Sequence, residues 1–342
     1  MDGDGKNLRE FRERMGLTQG VFAQWLNERL DRKYDKALVS RWETCNSRIP
    51  VVVANLLFRA GDFPRSELKD PGLIVTVSNQ KGGVGKTVTV VNVAYLLASE
   101  GKRVLVVDCD PQANASLHFG INAHEAFARK QSISLVLFHE HPIRSAITKV
   151  CDDAIDLIPS GSELREADGM LTRDPNGILA LREKLDELRD DYDFILIDTP
   201  PTTGVLMISS FNAADYLLIP TQTEMMSFDG ISKIMEDVAK VRRRINPALT
   251  LLGILPNLYK PQREQDRLIL PMINDLGPKY KTRVFTPIND IALISKGALS
   301  GRPTIEMYPR LAGVEGYREV VTALLAAAAS RKTANGVSHA AA

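Results

Sequence analysis

Residues 74–99 constrain the fold more than any other stretch. Ile74-Val75-Thr76-Val77 is a β-forming run, Ser78-Asn79-Gln80-Lys81-Gly82-Gly83-Val84-Gly85-Lys86-Thr87 follows it, and a helical pattern continues over Val88–Ser99. Strand, glycine-rich turn and helix in that order make a nucleotide phosphate loop. Glycines let the backbone curl so that several N–H groups point inward, and the helix adds its positive N-terminal end. In such a loop Lys86 reaches the β- and γ-phosphates and the Thr87 hydroxyl binds Mg²⁺. The plain pattern wants glycine at position 80. This chain has Gln80, and it places a second lysine, Lys81, just ahead of the glycines.

After about residue 70 the chain alternates short β-rich runs with longer amphipathic ones. The runs are Leu73–Ser78, Arg103–Asp108, Ala154–Ile158, Asp193–Asp198, Tyr216–Pro220 and Leu251–Pro256, with helical patterns such as Gly177–Asp190 and Ser227–Arg244 between them. That alternation predicts βαβ units and an α/β, doubly wound, mostly parallel sheet. Two of the runs end in acid: Val104–Val107 leads into Asp108-Cys109-Asp110, and Phe194–Ile197 leads into Asp198-Thr199-Pro200-Pro201. Ligands of open α/β sheets bind beyond the carboxyl ends of the strands. Carboxylates there are placed to hold Mg²⁺, usually through water, and to orient an attacking water.

Composition narrows the class without naming a partner. The 342 residues carry 43 Lys+Arg against 42 Asp+Glu, so whole-chain charge is uninformative. Cys45, Cys109 and Cys151 are odd in number and widely spaced, which argues against a disulfide framework or a cysteine-built metal site and for a reducing cytoplasm. Of the five histidines only His139 and His141 are close in sequence, with no third ligand at hand. No apolar run approaches the ~20 residues that span a bilayer. The charged N-terminus lacks the apolar stretch of a signal peptide.

Three segments are expected: a helical module over 1–68, the α/β domain over 69–330, and a loose tail of small and polar residues over 331–342. In the first, apolar residues fall at helical spacing (Leu8, Phe11, Met15; Val21, Phe22, Trp25, Leu26; Leu38, Val39, Trp42). Trp25 and Trp42 lie on these stripes and read as core. Residues 5–60 hold 11 Lys+Arg against 6 Asp+Glu, a local basic bias the whole chain lacks.

Lys81-Gly82-Gly83-Val84-Gly85-Lys86-Thr87 resembles the deviant Walker A motif of the ParA/MinD class of P-loop ATPases. The resemblance continues through Asp108-Cys109-Asp110-Pro111-Gln112-Ala113-Asn114, Leu157-Ile158-Pro159-Ser160, Asp198-Thr199-Pro200-Pro201, Ile219-Pro220-Thr221-Gln222, Gly301-Arg302-Pro303 and Gly316-Tyr317-Arg318-Glu319. The Asp-x-Asp-Pro-Gln-x-Asn form resembles the DNA-partition branch. The resemblance implies an ATPase with ATP and Mg²⁺ as cofactors. Gly82, Gly83, Val84, Gly85, Lys86, Thr87 and Val88 would cradle the phosphates. Lys81 would cross a nucleotide-sandwich homodimer to the partner's phosphates, Asp110 would orient or activate water, and Asp198 would hold Mg²⁺ through its shell. Asn257 and the Pro287 region stand where the family contacts adenine. Val88 replaces a second Thr or Ser of many relatives.

Leu17–Leu26, Val39-Ser40-Arg41-Trp42-Glu43 and Arg48-Ile49-Pro50 resemble a lambda-repressor-like helix-turn-helix domain. Thr18 would cap the second helix. Gln19, Lys36, Ser40 and Arg41 become candidate DNA contacts, across a connection (Asn27–Asp35) about six residues longer than the compact form. The partners so implied are DNA, at an operator and nonspecifically through Arg242, Arg243 and Arg244, and a ParB-like centromere-binding protein. The location would be cytoplasmic and on the nucleoid. Two other readings stay open. A MinD-like membrane-cycling septum-positioning ATPase needs an amphipathic anchor that the tail lacks. A nucleotide-sensing repressor with little turnover fits less well with Lys81 and Asp110 both present.

Overall fold

The computed structural model describes residues 3–30, 33–44, 49, 53, 71–139, 141–174, 176–293, 297 and 300–339. The segment boundary expected between residues 68 and 69, and Cys45, Arg48 and Pro50, lie outside them.

The N-terminal helices are α1 (Gly3–Arg14), α2 (Gln19–Leu30) and α3 (Lys36–Glu43). Leu8, Phe11, Phe22, Leu26, Val39 and Trp42 meet in one apolar core. Thr18 Oγ1 accepts from Val21 N–H at 3.4 Å at the start of α2. Asp35 caps α3, its Oδ1 accepting from Leu38 N–H at 2.7 Å. The long connection is closed by one side chain. Asn27 Nδ2 donates to Tyr34 O at 2.9 Å and its Oδ1 accepts from Tyr34 N–H at 2.7 Å, as a paired backbone would. Tyr34 then sets its ring edge-on against Trp42. Trp42 is fully buried, whereas Trp25 is half-buried, stacked on Phe22 and covered by the Arg29 guanidinium. One ion pair ties the first helix to the third: Arg12 Nε to Glu43 Oε1 at 2.6 Å and Nη2 to Oε2 at 3.2 Å, with Nη1 on Leu17 O.

Among the described residues of the larger part, seven strands form one sheet. They are β1 (Leu73–Val77), β2 (Val104–Asp108), β3 (Thr148–Val150), β4 (Ile155–Ile158), β5 (Phe194–Asp198), β6 (Tyr216–Gln222) and β7 (Thr250–Asn257), in the order β3-β4-β2-β5-β1-β6-β7. All pairs are parallel except β3 with β4. Successive side chains alternate between two cores. Ile74, Leu105, Val107, Ile195, Ile197 and Leu217 face one. Val75, Val77, Val104, Val106, Leu196 and Leu218 face the other. A sheet covered on both faces explains why its central strands read as unbroken apolar runs. The antiparallel β3 went unread in the sequence, because three residues with a lysine at the centre carry no strand pattern.

The helices that position the site are α4 (Lys86–Ser99), α5 (Leu164–Arg173), α6 (Val205–Ala213), α7 (Met225–Arg244), α8 (Glu264–Tyr280) and α9 (Glu315–His339). The backbone of α9 thus stays helical beyond residue 331, where composition predicts a loose tail.

Arg12 is only 8% exposed, so removing its partner strands a buried charge. Glu43→Ala is expected to destabilise the N-terminal helices by about 3–5 kcal/mol. The chain's two tryptophans, Trp25 and Trp42, both report on this core. Urea unfolding of the full chain followed by tryptophan fluorescence should show the midpoint fall, and an unchanged midpoint would contradict the assignment.

Candidate nucleotide site

The register of three neighbouring strands builds the site. Val77 pairs with Asp198, and Asp198 pairs with Asp108, so the last residues of β1, β5 and β2 stand in one row. The loop between β1 and α4 rises from that row. Asn79 anchors its start, with Nδ2 on Pro220 O at 2.7 Å and Oδ1 accepting from Lys81 N–H at 3.0 Å. Gly83 and Gly85 take φ of +74° and +84°, a left-handed region that favours glycine. Gly82 and Gly83 have open space where a side chain would stand.

Lys86 and Thr87 open α4. Lys86 is 7% exposed, and its ammonium donates to Lys81 O at 3.1 Å, closing the loop over itself. Burial pushes its pKa down, and Asp198 and Asp110 oppose that shift. Thr87 Oγ1 donates to Asp198 Oδ2 at 2.7 Å. The other oxygen, Asp198 Oδ1, is buried without a hydrogen-bond partner. A hydroxyl and a carboxylate in contact, with one enclosed lone acceptor, suit a small hard cation that takes its remaining ligands from phosphate and water. Among the described residues no cluster of three or more His, Cys, Asp and Glu could cage a metal unaided.

Asp108 organises the neighbouring loop. Its Oδ2 accepts from Ser116 N–H and Oγ–H at 2.8 and 2.7 Å, and its Oδ1 from Asp110 N–H at 3.1 Å. Asp110 in turn accepts from Gln112 N–H at 2.9 Å. Burial raises the carboxyl pKa values: Asp108 to about 6, Asp110 upward, and Asp198 well above the carboxylate range. Lys86 and Arg165, on the first turn of α5, hold Asp110 back from a larger rise. A cation entering here would relieve all three.

Contacts from β6 and α7 brace the loop from the far side. Lys81 Nζ pairs with Glu224 Oε2 at 2.6 Å, Gln80 Nε2 donates to Asp237 Oδ2 at 2.9 Å, and Gln222 Nε2 donates to Gly83 O at 3.1 Å. The non-glycine at position 80 therefore has a partner. Beyond β6 and β7 lies a polar pocket of about 200 Å³ whose lining includes Thr223, Glu224, Leu258, Lys260 and Asp290. The segment carrying half-buried Pro287 runs along β7, with Ile288 N–H on Pro256 O. Asn257, the residue expected beside adenine, has its amide beneath the phosphate loop, with Nδ2 on Val84 O at 3.0 Å and on Thr89 Oγ1 at 3.2 Å. Val88 is half-buried and packs on the sheet core.

The candidate DNA residues divide in the same way. Lys36 and Arg41 are exposed on α3, and Ser40 is half-buried. Gln19 is turned inward, donating to Glu43 Oε2 at 2.8 Å. Arg243 and Arg244 are exposed at the end of α7, whereas Arg242 Nε ties down Leu249 O at 2.6 Å. Glu224, Asp237 and Ser116 were missed in the sequence. Each acts through a contact that no local pattern encodes, and only the position of Glu224 just after a strand end could have flagged it.

The raised carboxyls have a consequence for stability. A buried acid with an elevated native pKa binds its proton more tightly folded than unfolded, so it costs stability as pH rises through the native pKa. Asp198→Asn escapes that cost. Without nucleotide or metal, its melting temperature is expected to exceed the parent's, with a gap wider at pH 7.5 than at pH 5. A gap that stays constant or narrows would contradict the raised pKa.

Comparison with known proteins agrees with this geometry. The profile of the AAA domain family matches residues 72–251. The sporulation initiation inhibitor protein Soj of Bacillus subtilis is 32% identical over 73% of this chain and 96% of its own. The chromosome partitioning protein ParA of Caulobacter vibrioides is 30% identical over 74% of this chain and 95% of its own. A solved structure from Mycobacterium smegmatis, described as cobyrinic acid a,c-diamide synthase with bound ADP and magnesium, is 31% identical. It covers 74% of this chain and 94% of its own, with a TM-score of 0.62. With these relatives, and with the phosphate loop and both acidic strand ends in register, the chain belongs to the ParA/Soj family of P-loop ATPases.

Proposed function

We propose that this chain is a DNA-partition ATPase that binds ATP with Mg²⁺, closes as a homodimer and hydrolyses the γ-phosphate. The observation that carries the reading is the row Val77–Asp198–Asp108 beneath a loop holding two lysines, one buried and one at its rim. The C. vibrioides relative described as a chromosome partitioning protein, matched over 95% of its own length, supports partition over the amide-forming activity named for the M. smegmatis structure.

Roles follow from position. The buried Lys86 ammonium and the loop N–H groups hold phosphate charge where water cannot screen it. Thr87 and Asp198 would hold Mg²⁺, whose bound form supplies charge neutralisation on the phosphates. Asp110, at the lip of the site and beside Lys86, is the candidate to orient the attacking water. Lys81 serves the dimer: to reach a partner's phosphates it gives up Glu224. The pocket beside Leu258 and Asp290, at the ends of β6 and β7, is where the nucleoside would lie. Stimulation by a ParB-like protein and autoregulation through a helix-turn-helix made by α1–α3 complete the reading. In that module Arg41 and Lys36 are the base- or phosphate-facing residues.

Nonspecific DNA binding falls to Arg243 and Arg244, since Arg242 is engaged in bracing the end of α7. Lys260 and Arg302 are balanced by Asp290 and Glu306, each at 2.8 Å. Two copies of the patch in a closed dimer make binding ATP-dependent through avidity. The test is a salt series on random duplex DNA with the full chain, with and without Mg-ATP. Replacing Arg243 and Arg244 together by Glu should weaken binding to all sequences alike. It should also flatten the log–log salt slope by about 0.9 for each phosphate no longer neutralised. Parent affinity and slope in the double variant would contradict the patch. ATP-dependent binding to anionic vesicles in place of DNA would overturn partition in favour of a membrane-cycling ATPase.

A further inference from the structure

We propose that Glu319 is a positioning residue for the nucleoside end of the site: from the start of α9 it pins a strap, residues 285–290, that runs along β7 to the pocket beside Asp290. This role rests on the nucleotide reading above. It also accounts for Gly316-Tyr317-Arg318-Glu319, a sequence motif with no part in the phosphate chemistry.

The strap has two edges. Its inner edge lies on β7, with Phe285 N–H donating to Ile254 O at 2.9 Å and Ile288 N–H to Pro256 O at 2.8 Å. Tyr259 N–H on Ile288 O and Asp290 N–H on Tyr259 O carry it past the end of that strand, where Asp290 joins the lining of the polar pocket. Between those contacts, Pro287 has no N–H to give and biases Thr286 toward an extended backbone. The polar groups of Thr286 both go to one carboxylate. Its N–H donates to Glu319 Oε2 at 2.9 Å and its Oγ1–H to Oε1 at 2.6 Å.

The motif on α9 is shaped for that contact. Tyr317, Val320 and Leu324 are buried in the sheet core and fix the helix in place. Gly316 and Glu319 stand three apart, on one helix face. A Cβ on Gly316 would collide with Thr286 O, so glycine is what lets the helix come this close. One turn later Glu319 takes the N–H and hydroxyl of the same threonine. Just ahead of α9, Gly313 O accepts from Asn289 N–H at 2.8 Å, a second hold on the outer edge.

The Glu319 contact is exposed and contributes only modestly to stability. Its effect is on which conformers the strap adopts. Without Glu319, the N–H and hydroxyl of Thr286 turn to water, and the strap spends part of its time away from the form that walls the pocket. A ligand that needs the walled form then binds more weakly, in proportion to the fraction of chains that hold it. The phosphate chain is held elsewhere, by Lys86 and the start of α4, and does not depend on that fraction. Loss of Glu319 therefore weakens a nucleotide and spares its phosphates.

The test uses the full chain. Mg²⁺-ATP and Mg²⁺-tripolyphosphate, which has neither base nor sugar, are each titrated calorimetrically into the parent, Glu319→Ala, Glu319→Gln and Thr286→Val. Melting temperatures check folding. Glu319→Ala is expected to bind ATP about fivefold more weakly, the scale of one or two exposed hydrogen bonds, and to bind tripolyphosphate as the parent does. Glu319→Gln still offers an acceptor to the N–H and a donor to the hydroxyl oxygen, so it should regain the parent's ATP affinity. Thr286→Val keeps the shape, removes one of the two bonds and should fall between. Hydrogen exchange without ligand should show the Ile288 and Asp290 amides less protected in Glu319→Ala. An equal loss for both ligands would overturn the proposal, because a merely structural tie weakens the whole site. Parent-like ATP binding in Glu319→Ala, unchanged amide protection, or no recovery in Glu319→Gln would overturn it too. If Glu319→Ala does not fold, the ratio of the two affinities in Thr286→Val decides in the same way. Failure of the parent itself to bind ATP would refute the nucleotide reading, an outcome distinct from any of these.

Discussion

The structure depends on concentrating buried carboxylates at the end of one parallel sheet. Asp108 and Asp198 end adjacent strands and are both fully buried, and Asp110 stands two residues beyond. Like charges at such spacing in a poorly solvated place are unfavourable unless something offsets them. Three things do so in part: the Lys86 ammonium, the Ser116 and Asp110 N–H groups on Asp108, and the Thr87 hydroxyl on Asp198. The remainder shows as raised carboxyl pKa values and the enclosed Asp198 Oδ1. A cation bound with phosphate would remove that residual cost. The same burial that strains the site prepares it for Mg²⁺ and nucleotide.

The loop above this row is held from two sides, and the two sides do different work. Asn257 and Thr89 fix its carbonyls from beneath. Gln80, Lys81 and Gln222 tie its rim to β6 and α7. Asp237, the partner of Gln80, lies on the helix that ends in Arg243 and Arg244, so the phosphate loop and the proposed DNA surface share one rigid element. Lys81 is held by a half-buried pair at the rim of the loop rather than by a buried one. A pair still reached by water gains less than a buried one, which suits a side chain whose proposed role requires it to leave.

Much of this was legible in the sequence because it is written locally. β-branched runs ending in acid gave the central strands, and glycines followed by Lys-Thr gave the loop. What was not legible depends on pairing across the chain or on the direction of a polar group. Glu224 meets Lys81 143 positions away, and no spacing rule connects them. Asn257 ends β7 with its amide on the phosphate loop, and a sequence cannot say which way an amide points. Arg242, Arg243 and Arg244 read as one patch until the fold assigned the first to a carbonyl of the following turn. Gln19, a candidate DNA contact from its sequence position, is held by Glu43 in the fold.

The central claim is that the loop over the Asp198–Asp108 row is a working Mg-ATP site. The most direct measurement is calorimetric titration of Mg-ATP into the parent and Lys86→Ala, with phosphate release followed in parallel for Asp110→Ala. The account predicts saturable one-to-one binding per chain in the parent, its loss in Lys86→Ala, and binding without turnover in Asp110→Ala. Equal ATP affinity in the parent and Lys86→Ala would contradict it.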